Sequence, residues 1–133
     1  MNTHLSPLLS NPRARLAILG CAVTMYLAIL VAGSIPGARA DIGHYASGPV
    51  LHSTAYAILT ALWFFGSRGT PAARACKAVL VIAAMGAGDE FVQSFFPYRG
   101  ADVRDWAVDC ASAVVTALLL CLALPKMFVI QEH

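Results

Sequence analysis

The residues in this chain able to do chemistry lie close together. Glu90, Gln93, Arg99, Asp102, Asp105 and Asp109 follow one another across a stretch broken by Pro97 and Gly100, and His52 and Tyr56 stand four residues apart upstream. Arginine offers a planar fork of donors that fits a phosphate or a carboxylate. A histidine held beside a carboxyl group can exchange protons with it. A divalent ion between His52, Glu90 and Asp109 is chemically conceivable, but no metal-ligand spacing is present, so no metal is expected. No phosphate-binding glycine loop, zinc-protease helix, nucleophile elbow or Ser-His-Asp order occurs, so no cofactor is expected and the balance leans away from an enzyme.

Those polar groups sit in an unusually apolar chain. Hydrophobic residues make up 59% of its 133 residues and charged residues 12%, against roughly a quarter charged in ordinary soluble domains. A single small core cannot hide that much apolar surface, whereas lipid can solvate it. Four apolar stretches run from about Leu16 to Ser34, Gly48 to Gly66, Ala73 to Phe95 and Val103 to Leu124. Each is close to the ~20 residues that cross a bilayer as a helix. Pro36, Pro49, Pro71, Pro97 and Pro125, with Gly37, Gly69 and Gly100, mark the boundaries. The expected fold is all-α: one domain over residues 1–133, a four-helix transmembrane bundle whose short connections make neighbours antiparallel.

The first stretch has a rival reading as a signal peptide, with Ala38-Arg39-Ala40 as its cleavage site. Its apolar run exceeds the ~7–15 residues of such peptides, so a membrane span is expected. With the N-terminus inside, Arg13, Arg15, Arg68, Arg74, Lys77 and Lys126 fall on the cytoplasmic side and Arg39, Arg99 and Arg104 outside. This positive-inside bias predicts that both termini are cytoplasmic. The formal charge of +2 is small and dispersed, which argues against nucleic acid as a partner. Cys21, Cys76, Cys110 and Cys121 lack paired spacing and read as small apolar residues.

Given that topology, the polar groups converge at one depth, the outer end. His52, Tyr56 and Thr60 share a face of the second helix, and Gly86, Glu90, Gln93 and Pro97 a face of the third. Asp102, Asp105, Asp109, Ser112 and Thr116 form a stripe down the fourth, with Trp106, Val108, Val114, Leu118 and Leu119 on lipid-suited faces. Ionisable groups facing lipid are costly, so these faces should turn inward. The plainer alternative is a structural lock, with Glu90–Arg99 or Asp105–Arg104 as the pair. On that view Tyr56, Ser112 and Thr116 are packing residues and Trp106 an interface anchor.

At these residues the chain resembles the VanZ-like family of small membrane proteins. Glu90 to Asp105 fits the family's E-x-x-Q, P-x-R and D-x-x-D pattern without insertion, and His52 to Tyr56 fits its H-x-x-x-Y. The resemblance covers roughly Asp41 to Leu120. It implies four helices and a polar site facing the cell envelope, and the family takes its name from resistance to the glycopeptide teicoplanin. Pro49 stands where members often carry lysine, Asp109 where asparagine is usual, and Ser112 and Thr116 where glycines are usual. The site has exchanged a cation for an anion.

Three functions are therefore expected, in descending order. The first is a bacterial inner-membrane protein, among membrane lipids, whose polar cluster binds an amphiphile such as a lipid-linked envelope precursor. In it His52, Tyr56, Glu90, Gln93, Arg99, Asp102, Asp105 and Asp109 are the ligand-binding candidates. The second is an accessory subunit packed against other membrane subunits, with Ala83, Ala84, Gly86, Ala87 and Gly88 allowing close helix approach. The third, a proton or ion pathway, needs polar groups through the full depth, and the stripe fades beyond Thr116.

Overall fold

The computed structural model describes residues 11–129, with side chains from 11 to 124. Among the described residues there are five helices and no strand: α1 (Pro12–Ser34), α2 (Ala38–Gly43), α3 (Gly48–Gly66), α4 (Pro71–Gln93) and α5 (Val103–Val129). Their starts follow local chemistry. Asn11 accepts from the Arg13 amide and Thr70 from the Ala73 amide, each just before a proline that needs no amide partner. Asp102 accepts from the Arg104 amide at 2.9 Å and does the same for α5.

The helices depart from the sequence expectation at several points, beginning with α1, which starts at Pro12 rather than near Leu16 because Asn11 caps it there. The third stretch was expected to reach Phe95, but α4 ends at Gln93, and Phe95 and Phe96 close tight turns onto Val92 and Gln93. Pro97 explains this, because the residue before a proline is pushed out of the helical region. At the other end, α5 runs past Pro125, which was expected to stop it. A proline removes one helical hydrogen bond, a loss that apolar helices absorb by local adjustment. The short α2 was not expected at all. It begins after Gly37, whose φ of 81° lies in the left-handed region that favours glycine.

Contacts between helix ends fix the relative directions. Arg15 near the start of α1 donates to the Gly66 carbonyl at the end of α3 at 3.0 Å. Tyr98, just beyond α4, donates to the Ser34 carbonyl at the end of α1 at 2.6 Å. His52 and Asp109, both early in their helices, meet at 2.9 Å. Hence α1 and α4 finish where α3 and α5 begin, and long helices that follow one another run antiparallel.

α5 packs against both α3 and α4, and α1 against the same two helices. The core comprises Ala22, Tyr56, Leu59, Ile82 and Ala113 at mid-height, and Phe64, Ala78 and Leu124 at the end away from His52. Outward, Leu16, Leu27 and Val31 of α1 and Val115, Leu119 and Leu122 of α5 are more than half exposed. α1 and α5, the latter over Val103–Leu124, are long and apolar enough to cross a membrane. α3, with 19 residues, and α4, with 23, carry His52, Tyr56, Glu90 and Gln93 of the polar cluster. Apolar faces of this extent are rare on water-facing monomers, and they are compatible with a membrane protein.

Gly86 sets the spacing of α4 and α5: a Cβ there would lie 2.9 Å from Asp109 Oδ2 and 3.1 Å from Trp106 Cδ1. A Cβ on Gly20 in α1 would meet nothing within 4 Å. Gly86→Ala should therefore cost about 1–3 kcal/mol through overpacking. Gly20→Ala should gain up to about 1 kcal/mol from helix propensity. Thermal melts of both variants in mild detergent measure the opposite signs.

Candidate functional site

Asp109 is fully buried against α3 and the Gly86 face of α4. Its Oδ1 lies 2.9 Å from His52 Nδ1. The other ring nitrogen of His52 lies 3.6 Å from Asp105 Oδ2, and that same oxygen accepts from Arg39 Nη2 at 3.3 Å. Asp105 is buried, while the Arg39 side chain is half-exposed. The chain of groups Arg39–Asp105–His52–Asp109 thus ties α2, α5 and α3 together. Beneath it the His52 ring stacks parallel to Tyr56, with centroids 6.0 Å apart, and Ser112 donates to the Ser53 carbonyl at 2.7 Å. Buried charges persist only when paired and hydrogen-bonded; residues from three helices pair Asp105 and one oxygen of Asp109 here, while Asp109 Oδ2, against Gly86, has no hydrogen-bond partner.

The structural pairs expected from sequence are not the ones formed. Among the described residues neither Glu90–Arg99 nor Asp105–Arg104 makes an ion pair; the bridges are Arg39–Asp105 and His52 with Asp105 and Asp109. Glu90 instead accepts from the Asp102 amide at 2.6 Å. Spacing along a helix could not reveal this, because the partner is a backbone donor presented by the turn. Glu90 and Asp102 together shape the α4–α5 connection: Glu90 holds the backbone of Asp102, and Asp102 caps α5. The indole of Trp106 likewise has a definite partner, the Ala83 carbonyl at 2.9 Å.

The rest of the cluster opens onto a cavity of about 290 Å³ beside this network. Arg39, His52, Tyr56, Asp89, Gln93 and Arg99 supply its polar wall; Ile29 and Gly33 of α1, Ile42 of α2 and Leu51 of α3 supply the apolar one. Asp89 and Gln93 are 2% exposed. Tyr56 donates to Asp89 Oδ2 at 3.4 Å, while Asp89 Oδ1, Gln93 Oε1 and Arg99 Nε are buried without a hydrogen-bond partner. Among the described residues Arg99 makes no ion pair. The eight candidates therefore divide. His52, Tyr56, Gln93 and Arg99 face the cavity, Asp105 and Asp109 stand behind His52, and Glu90 and Asp102 hold the turn.

Two residues of this site escape the sequence reading. Asp89 has no assigned role there, although it stands three residues after Gly86 and four before Gln93, on the face the other two define. Arg39 counts there only as an outer basic residue. No periodicity marks it, because the six-residue α2 is too short to show one. No group of three or more His, Cys, Asp or Glu side chains that could hold a metal ion occurs among the described residues.

An all-helical chain with uncovered apolar helices and buried ionisable groups gathered at one end has the character of a small membrane protein. The sequence profile of the VanZ/LLP1 family matches residues 13–124, and the chain belongs to that family. No curated protein and no solved structure matches it.

The buried network makes a quantitative prediction. In a double-mutant cycle of His52→Ala and Asp109→Ala, the first change leaves Asp109 buried without its donor, and the second leaves His52 only its 3.6 Å approach to Asp105. The two effects on stability should therefore be non-additive, with a coupling of about 1–3 kcal/mol. Chemical denaturation in detergent of the four proteins measures it, and additivity would remove the pair from its structural role.

Proposed function

We propose that the protein is a four-span protein of the bacterial inner membrane, with both termini cytoplasmic, whose outward-facing pocket binds the head of an amphiphilic envelope molecule. The observation that carries this reading is the cavity next to Arg99. A guanidinium with a buried, unpartnered Nε beside an apolar-walled space of about 290 Å³ is unfinished as structure, and an incoming phosphate or carboxylate completes it. Ligand sites have this composition, mostly apolar walls with a few convergent polar groups. A lipid-linked saccharide precursor fits the chemistry, its anionic head on Arg99 and its chain along the exposed apolar faces.

The second reading, an accessory subunit within a larger membrane assembly, is favoured by a different observation. The Arg39–Asp105–His52–Asp109 network behaves as an interhelical lock and needs no ligand. The exposed side of α1, with Leu16, Val23, Leu27 and Val31, suits either lipid or a partner helix. A proton pathway ranks last, since the core beyond Thr60 is built from Leu59, Phe64 and Ile82. Purification in native nanodiscs, followed by mass spectrometry of what is retained, separates the first two. A co-purifying amphiphile that is lost in Arg99→Ala, with the protein still folded, supports the pocket. A stoichiometric set of membrane subunits retained despite that change supports the subunit.

Topology is tested separately, in a background without the native cysteines. His44→Cys and Tyr98→Cys should react with an impermeant maleimide on intact cells. Ser67→Cys should react only after permeabilisation. The reverse pattern would invert the orientation.

A further inference from the structure

The pocket holds an anion, Asp89, as well as two cations: Arg39 is spent on Asp105, and Arg99 and Asp89 do not satisfy each other. Asp89 is 2% exposed, yet Oδ1 has no hydrogen-bond partner and Oδ2 has only the long 3.4 Å contact from Tyr56. Arg99 lies close by without pairing to it. Both flank one spot above Gly33, where a Cβ would be 3.8 Å from Arg99 Nη2, 3.8 Å from Asp89 Oδ1 and 3.9 Å from Gln93 Nε2. A buried carboxylate and a guanidinium in one cavity ordinarily collapse into a bidentate pair. Here they stand apart around open space; Gln93 turns Nε2 toward the same spot, and its buried oxygen has no partner.

From this arrangement we infer that the ligand's head is zwitterionic, an N–H-bearing ammonium joined to a phosphate, as in an aminophospholipid. The inference rests on the reading of this site as a head-group pocket and narrows it. Arg99 takes the phosphate. The ammonium lies against Asp89 Oδ1, and the Gln93 amide, whose Nε2 faces the same spot, turns over to offer its unpartnered oxygen. Gly33 has no side chain, and that leaves room for the head between α1 and α4. The apolar residues Ile29, Ile42 and Leu51 line the space where the first carbons of the lipid emerge. A wholly anionic head leaves Asp89 unanswered and adds repulsion. A quaternary ammonium supplies charge but no N–H to donate.

The test uses the full chain in nanodiscs made from equal parts phosphatidylethanolamine, phosphatidylcholine and phosphatidylglycerol, with retained lipid read by native mass spectrometry after mild detergent release. Phosphatidylethanolamine should be enriched by roughly 10- to 100-fold over the other two, the span that a single charge-assisted hydrogen bond produces. Asp89→Asn, nearly isosteric, should abolish that preference while some phosphatidylglycerol is still held through Arg99. Gly33→Leu, which removes no polar group, should prevent retention of any lipid. Equal or greater retention of phosphatidylglycerol by the unaltered protein would overturn the zwitterionic head and leave the amphiphile pocket standing. Retention of no lipid, here and from the native host, would overturn both. Binding of free O-phosphoethanolamine without lipid retention would overturn the lipid as the source of the head.

Discussion

Asp109 has no exposed surface. A carboxylate removed from water in this way must be met by a donor at close range, and His52 is the group that meets it. Much of the upper half of the molecule follows from that pairing. His52 can reach Asp109 only if α3 and α5 start at the same end. Asp105, one turn earlier, then falls beside the second ring nitrogen and draws in Arg39 from α2. Gly86 is favoured because Asp109 lies against α4 as well, so close that a Cβ there would push its carboxylate aside. One buried charge thus sets the directions of two helices, the position of a third and the identity of a residue on a fourth.

The same pairing separates two kinds of polar group that look alike in sequence. Groups behind His52 are joined to one another through Asp105 and Asp109 Oδ1, although Asp109 Oδ2 has no hydrogen-bond partner. Groups in front of it, Asp89, Gln93 and Arg99, are arranged around space. Whether a membrane protein's charged cluster is a lock or a pocket is usually posed as a choice. In this chain each half of the cluster gives a different answer, and His52 is shared between them, paired on one side and lining the cavity on the other.

The helices were legible where punctuation was strong. Gly48 and Gly66 bound α3 as expected, because proline in the first turn and glycine at the last are unambiguous signals. The ends of α4 and α5 shifted for lack of such clarity: Pro97 acts at a distance of several residues, and Pro125 does not act as a stop. Helix faces were legible as well, since period fixes which residues point together, and Tyr56 and Thr60 are indeed buried side by side. Partners were not. Spacing says that Glu90 faces inward but not that it meets a backbone amide, and nothing in the apolar pattern announces that Arg39 will supply the cation. Pairing across helices depends on rotation and height, which the order of residues encodes only through packing.

The bond from Glu90 to the Asp102 amide joins groups twelve residues apart, whereas His52 and Asp109 are 57 apart and Tyr98 and Ser34 are 64 apart. Closing a short loop costs less entropy than closing a long one, and local contacts form sooner. The hairpins of consecutive long helices, α3–α4 across the turn that Lys77 ties to the Arg68 carbonyl and α4–α5 across the Glu90–Asp102 bond, are therefore the first tertiary units the chain can complete, and the buried histidine then joins α3 to α5. α1, held to the others through hydrogen bonds such as Tyr26 to Met85 and Tyr98 to Ser34, closes the assembly. The wall it contributes is the one carrying Ile29 and Gly33, so biogenesis finishes at the cavity. The cavity wall is thus also the last seam of the bundle to be sealed.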